Sequence, residues 1–390
     1  MKLIFRYYLS KYGKFRNAFT LTETIVGYLI GMILLASMLS WLVNLLYQDR
    51  NEQILSETQQ NMERAMRYMT EDIHESVYVY DFLQNPYNSC SASASSPSCT
   101  NNAGNNYPNG NTLGYPLVGI PASLITANNI PIVAFWKLTP LTDGVLSGLN
   151  CGSLSTSAYI LEDNPLTNNS SLSYQGECNA LIYRRKMASL VVYFQKINVG
   201  DNSDIGWYGK SRILRYQFDK YNSSTTPTTR NNGFVDPNYS QDYGQWPENT
   251  SQTNLQAGIT APTTSATNPA VLLDYVDAPL STADQNLPTC NSKQTRSPTY
   301  PTGPSNSPTG SYNGSYPTLY YSSSFWVCVT TVSIQDLDGT WSSAAGVPQI
   351  VSIYLRGNAS GTPGQGTGIN PVLQPLYSKV SVRGVVGESY

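Results

Sequence analysis

Residues 18–46 read AFTLTETIVGYLIGMILLASMLSWLVNLL, and this stretch decides the architecture. From Ile25 to Leu46 there are 22 residues without a charge. Wound as α-helix at about 1.5 Å per residue they span roughly 33 Å, enough to cross a hydrocarbon core. Residues 1–18 carry Lys2, Arg6, Lys11, Lys14 and Arg16 and no acid, whereas only Arg50 lies close on the other side. The positive-inside rule therefore puts residues 1–18 in the cytoplasm and the rest across the membrane. A secretory signal has a shorter apolar region of about 7–15 residues and a small-residue cleavage site after it. Here Tyr47, Gln48, Asp49 and Arg50 come next, so the segment is expected to remain as an anchor.

Beyond Leu46 the helix is expected to continue. Leu55, Met62, Met66, Met69, Ile73, Val77 and Tyr80 fall on one face of an amphipathic helix. No Gly or Pro interrupts from Met32 to Asn85, and Asn85-Pro86 supplies the expected stop. The reading is one helix over 19–82, with its membrane part at 25–46. The Met-rich stripe reads as core, and His74, off the stripe, as a solvated or capping residue.

Charge separates this segment from the rest of the chain. Residues 1–81 hold 17 of the 48 charged residues, and the remaining 309 residues hold 31. The whole chain is 12% charged with 23 Lys+Arg, 25 Asp+Glu and one His. A nucleic-acid binder relying on counterion release is basic, so no nucleic acid is expected as partner. A mean hydropathy of −0.28 argues against a polytopic membrane protein. Without residues 1–18 the balance is 18 against 25, a net −7.

From residue 83 to 390 short β-type runs alternate with polar loops. Candidate strands are 131–138, 157–161, 180–185, 190–197, 212–218, 325–333, 349–356 and 377–386, rich in Val, Ile, Tyr and Phe. Ala180–Ile197 reads as a hairpin turning near Lys186-Met187-Ala188. Long polar loops are expected at 86–130 and near 220–322. The fold class is α+β: a long N-terminal transmembrane and amphipathic helix packed on a C-terminal, antiparallel, β-rich head.

Six cysteines, Cys90, Cys99, Cys151, Cys178, Cys290 and Cys328, lie in this head without metal-ligand spacing. An even count in an exported body suggests disulfides. Consecutive pairing (90–99, 151–178, 290–328) costs the least loop entropy among the fifteen connectivities.

The search for chemistry yields no catalytic residue, metal site or cofactor. There is no GxSxG elbow, HExxH or P-loop. Gly364–Gly368 lacks the Lys and helix of a phosphate cradle, and Asp336-Leu337-Asp338-Gly339 reads as a turn. Arg184-Arg185-Lys186 is the only basic cluster, either a solvated turn or a contact for an anionic polymer. Tyr300, Tyr312, Tyr316, Tyr320 and Tyr321 suit either sugar stacking or subunit packing.

Glu23 breaks the apolar pattern four positions after Phe19. It reads either as an interfacial carboxylate or as one that needs a cation from elsewhere. Gly27 and Gly31 form a small-xxx-small pair, read as close helix packing or as ordinary membrane-helix glycine. A basic leader, the small Ala18, then Phe19-Thr20-Leu21-Thr22-Glu23 entering an apolar helix resembles the type IV prepilin signature, with Ala18 where the family most often has Gly. Asp49–Gln53, Glu63–Asp72, Val77–Asp81 and Ile130–Trp136 are similar to the cyanobacterial hormogonium polysaccharide secretion pseudopilin C family. Leu181–Arg185 and Val351–Arg356 are in the style of minor pilins.

The resemblance implies a leader over 1–18, cleavage between Ala18 and Phe19 by a prepilin peptidase, and N-methylation of Phe19. It implies that Glu23 pairs with the N-terminal amine of a neighbouring subunit. It further implies a pilin-like head and a non-enzymatic pseudopilin of an envelope-spanning, type II secretion-like machine for polysaccharide export and gliding motility. The implied partners are other pilin subunits, the peptidase/methyltransferase, the inner-membrane assembly platform and the exported polysaccharide. The implied place is the inner membrane, with the head in the periplasm or on the cell surface. An adhesive or DNA-uptake minor pilin and a membrane-anchored carbohydrate-binding protein stand as alternatives.

Overall fold

The computed structural model describes residues 20–80, 128–141, 174–200, 204–219, 269–278, 324–330, 348–363 and 371–385, with short pieces and single positions between them. The chain divides into two units, one containing residues up to Ile54 and the other running from Leu55 onward apart from 364–369.

Helix α1, Leu21–His74, is a single element that passes through both. In the first unit its large apolar side chains, from Leu21 to Tyr47, are exposed, and the helix is long and apolar enough to cross a membrane. Fully burying such a side chain is worth about 1.5–3 kcal/mol, so a run of them is stable only when lipid or other helices cover it.

In the second unit α1 buries Met62, Met66, Met69 and Ile73, with Leu55 half-buried. The helix stops at His74, eight residues before the end expected from sequence. No Gly or Pro ends it. Glu75 N–H still donates to the Glu71 carbonyl (3.1 Å), and the Ser76 hydroxyl then takes the Ile73 carbonyl (2.6 Å). Ser76–Val79 turns into strand β1, because its β-branched and aromatic residues find a partner strand. Val77 and Tyr80 are therefore not helical.

That partner is β5, Asn129–Pro140, which continues into a five-stranded antiparallel sheet with β6 (Lys186–Ile197), β7 (Ser211–Asp219) and β8 (Ala270–Val276), in the order β1-β5-β6-β7-β8. Three short strands, β2 (Ser89–Ser91), β3 (Ser98–Thr100) and β4 (Asn106–Tyr107), form a separate sheet. A second antiparallel sheet has the order β14-β13-β10-β9 and is built from β9 (Gln294–Ser297), β10 (Phe325–Thr330), β13 (Pro348–Leu355) and β14 (Leu376–Val385). β11 (Ser333–Gln335) and β12 (Trp341–Ser343) pair with each other. The architecture is α+β.

Both faces of the larger sheet are covered. Ala134 and Trp136 of β5, Leu190, Val192 and Phe194 of β6, and Leu214, Tyr216 and Phe218 of β7 pack with Tyr80 and Trp246 on one face. Tyr193, Lys137 and Arg215 point to the other face and meet Asp72 of α1. Strands buried on both sides read as continuous apolar runs, which is why alternation is weak in the sequence. The smaller sheet also touches α1, through Thr70–Ser378 (3.1 Å) and the His74 ring on the Ser381 carbonyl (2.8 Å).

One expected strand is a helix. Tyr174–Arg184 forms α3, after the short α2 of Asp143–Gly148, and β6 begins only at Lys186. The expected hairpin within 180–197 is absent, since β6 pairs with β5 and β7. Cys178 and Leu181, three apart on one helical face, are buried while Ile182 and Tyr183 are exposed. The expected strand at 157–161 lies outside the described residues.

Candidate functional site

The first turn of α1 holds the polar end of the exposed apolar helix. Thr20 sits at the N-cap: its carbonyl accepts from Glu23 N–H (3.0 Å) and Thr24 N–H (3.2 Å), and its hydroxyl lies 3.4 Å from Glu23 N. Thr-Leu-Thr-Glu has the sequence of a capping box, a local signal that reading Glu23 for its charge alone leaves out. An acid in the first turn is favoured by the helix dipole by about 0.3–1 kcal/mol. The Glu23 carboxylate is exposed and has no partner among the described residues. Gly27 and Gly31 lie on the same helix, and a Cβ at either would meet nothing within 4 Å in the single chain. Ala18 and Phe19 lie outside the described residues.

At the other end of α1, Asp72 is buried and binds three side chains from three strands. Its Oδ1 accepts from Lys137 Nζ (2.8 Å) and Arg215 (3.3 Å), and its Oδ2 from Arg215 Nε (2.8 Å) and the Tyr193 hydroxyl (2.5 Å). Lys137 also reaches Glu75 (2.6 Å). Burial pushes the Asp72 carboxyl up. The Arg215 hydrogen bond and charge, with Lys137 and Tyr193, outweigh that and hold it below the usual carboxylate range. Burial, reinforced by the Asp72 charge, pushes the Tyr193 phenol well above its usual value. The cluster clamps the helix to the sheet.

Two further buried carboxylates are neutralised in the same way. Asp204 accepts from Arg212 (2.8 Å) and from the Val199 N–H (2.7 Å), with Lys196 at 3.5 Å. Asp277 accepts from Arg356 (3.0 Å) and Asn358 (2.7 Å). Beside it the Gln195 amide nitrogen, with two hydrogens to donate, lies within 2.9 Å of the Ser211 and Ser324 hydroxyls and the Asp277 carbonyl. The Gln349 side chain crosses between sheets as a strand mimic, accepting from Val79 N–H (2.9 Å) and donating to the Val79 carbonyl (2.8 Å). Among the described residues no three His, Cys, Asp or Glu side chains converge as a metal site would need.

Of the six cysteines, Cys290 and Cys328 are joined in a disulfide, and Cys178 is disulfide-bonded. The backbones of Cys90 and Cys99 are register partners in the small β2–β3 pair. Cys151, the tyrosines at 300–321, Asp336–Gly339 and Gly364–Gly368 lie outside the described residues. Arg184, Arg185 and Lys186 stand exposed where α3 gives way to β6.

Compared with protein families, curated proteins and solved structures, the chain matches none.

Proposed function

We propose that the chain is a non-enzymatic, pilin-like pseudopilin: a subunit cut between Ala18 and Phe19, methylated on Phe19, and added through its N-terminal helix to an envelope-spanning filament that exports polysaccharide and supports gliding motility. Its partners are then neighbouring pilin subunits, the prepilin peptidase/methyltransferase, an inner-membrane assembly platform and the exported polymer. The head lies on the far side of the inner membrane.

One observation carries this reading. An apolar helix with no cover in the single chain begins with a carboxylate that has no partner among the described residues. Hydrocarbon or neighbouring helices supply the cover, and a methylated amine of the next subunit supplies the cation that a carboxylate at membrane depth requires. Gly27 and Gly31 let helix backbones approach closely.

Two measurements test it. The mature N-terminus is expected to be N-methyl-Phe19, and an intact Met1 refutes the reading. Glu23→Gln keeps a capping side chain at the third helical position and removes the charge. It is expected to leave the chain cleaved and folded but excluded from filaments, with loss of polysaccharide export. Export that survives Glu23→Gln shows that assembly is not the mechanism. A deletion strain with normal exopolysaccharide but no piliation or transformation favours the minor-pilin alternative.

A further inference from the structure

The turn between α3 and β6 presents five consecutive exposed residues, Ile182-Tyr183-Arg184-Arg185-Lys186. Tyr183 is 90% exposed and Ile182 42%. None of the three cations is ion-paired among the described residues, whereas Lys137, Lys196, Arg212, Arg215 and Arg356 each hold a carboxylate.

The turn is seated on packed and hydrogen-bonded residues. Leu181 and Met187 on either side of it pack with Leu141 in a small apolar cluster. The Arg185 N–H donates to the Leu181 carbonyl (2.8 Å), and its carbonyl accepts from Leu141 N–H (2.9 Å). Arg185 takes a φ of 53°, the left-handed conformation that closes a helix and that Gly adopts without cost. An arginine there is strained, and strain that persists on a fixed base points to use. The helix dipole explains a cation in the last turn, Arg184, but not Arg185 beyond it or a fully presented tyrosine ring.

We propose that Tyr183, Arg184, Arg185 and Lys186 form a binding edge for an anionic polysaccharide, one bearing carboxylate or sulfate groups. The assignment rests on the polysaccharide-export reading and names the class of polymer. Guanidinium forks engage carboxylate and sulfate oxygens in paired hydrogen bonds, and the exposed tyrosine face offers a flat apolar surface to a sugar ring. The complementarity is local: three consecutive cations, exposed and without an ion pair among the described residues, stand together at this turn.

The test uses the full chain in phosphatidylcholine nanodiscs, probed with alginate, dextran sulfate, neutral dextran and phosphatidylglycerol vesicles. The intact protein is expected to bind both anionic polymers and not neutral dextran. The R184Q/R185G/K186Q variant is expected to lose about tenfold in affinity, as three exposed ion pairs would give. Because Gly relieves the φ at 185, its melting temperature should not fall, so lost binding is not lost folding. Tyr183→Ala should weaken alginate binding without changing its salt dependence. Anionic-polymer binding by the triple variant within about twofold of the intact chain overturns the proposal. Capture of vesicles but not alginate also overturns it, in favour of a lipid surface. Failure of the filament reading shows separately, as export surviving Glu23→Gln.

Discussion

Replacing Asp72 with Asn tests whether the helix is held to the sheet by charge as well as by apolar packing. The Asp72 side chain is 3% exposed, Arg215 10% and Lys137 17%. The substitution leaves one neutral acceptor for four donors and strands the Arg215 guanidinium against a buried face. Breaking a buried pair by removing one partner costs about 3–5 kcal/mol. Lys137 keeps the half-exposed Glu75, so its share is about 0.5–1 kcal/mol. Arg215 therefore dominates, and the expected loss is about 3 kcal/mol for Asn and nearer 5 for Ala. Urea unfolding of the full chain, followed through the buried Trp136, Trp246 and Trp326, reads it directly.

The acid limb gives a second reading of the same cluster. The folded-state pKa of Asp72 lies below its ordinary 3.8, so its contribution is present above that value and is lost as pH falls through the folded one. The intact protein should lose stability below about pH 4 more steeply than Asp72→Asn. Asp72→Leu combined with Arg215→Met should recover much of the loss, because an apolar pair needs no desolvation of charge. A single-substitution effect under about 1 kcal/mol, or parallel acid limbs, refutes the clamp.

The other perturbations are as specific. Gln349→Leu strips both bonds from the buried Val79 backbone and should cost about 2–4 kcal/mol, with faster hydrogen exchange at the Val79 amide. Replacing Cys290 and Cys328 by Ser opens a loop with a sequence separation of 38 and should cost about 4 kcal/mol on the chain-entropy relation, read by denaturation under non-reducing conditions. Gly361 has a φ of 91°, and a Cβ there meets the Tyr208 carbonyl, so Gly361→Ala should destabilise by about 1–3 kcal/mol in the same assay. Gly27→Leu with Gly31→Leu meets open space in the single chain and should leave its melting unchanged while weakening helix association in lipid.

Elements that owe their form to local pattern are legible in the sequence. The uncharged run from Ile25 to Leu46 is apolar on every side, and no tertiary partner is needed to make it helix. The same holds for the stripe through Met62, Met66, Met69 and Ile73, and for β-branched runs such as those in β6 and β13. Glu23 stands out because a charge in an apolar run is rare. Thr20 does not, although Thr-x-x-Glu is a local signal, because a threonine beside an apolar run is common.

Hidden from the sequence is what the sheet imposes from a distance. Ser76–Val79 continues a helical stripe perfectly well, and only the register Ser76–Lys137 and Val79–Phe135 makes it strand. Ala180–Arg185 alternates like a strand, yet Cys178 and Leu181 need one helical face to reach the core. β8 has no strand signature of its own: Ala270–Val276 is interrupted by Asp274, and Tyr275 takes a φ of 61° where the pairing with β7 shifts register. The Asp72 clamp is invisible for the same reason, since its four members come from α1, β5, β6 and β7 and no spacing joins them. Asp72 is neutralised by strands distant in the chain and Asp204 by Arg212 eight residues on. Glu23, in the first turn of α1, and Arg184–Lys186, where α3 ends, are placed by local sequence and hold no ion pair among the described residues. Unpaired charges cost nothing in water, but a carboxylate beside an apolar run and an arginine held at positive φ are each costlier than the neutral residue or glycine that would serve the fold alone. Tyr275 shares the positive φ but is half-buried at the register shift of β8, where the sheet accounts for it; Glu23 and Arg185 stand exposed, and it is there that a partner is expected.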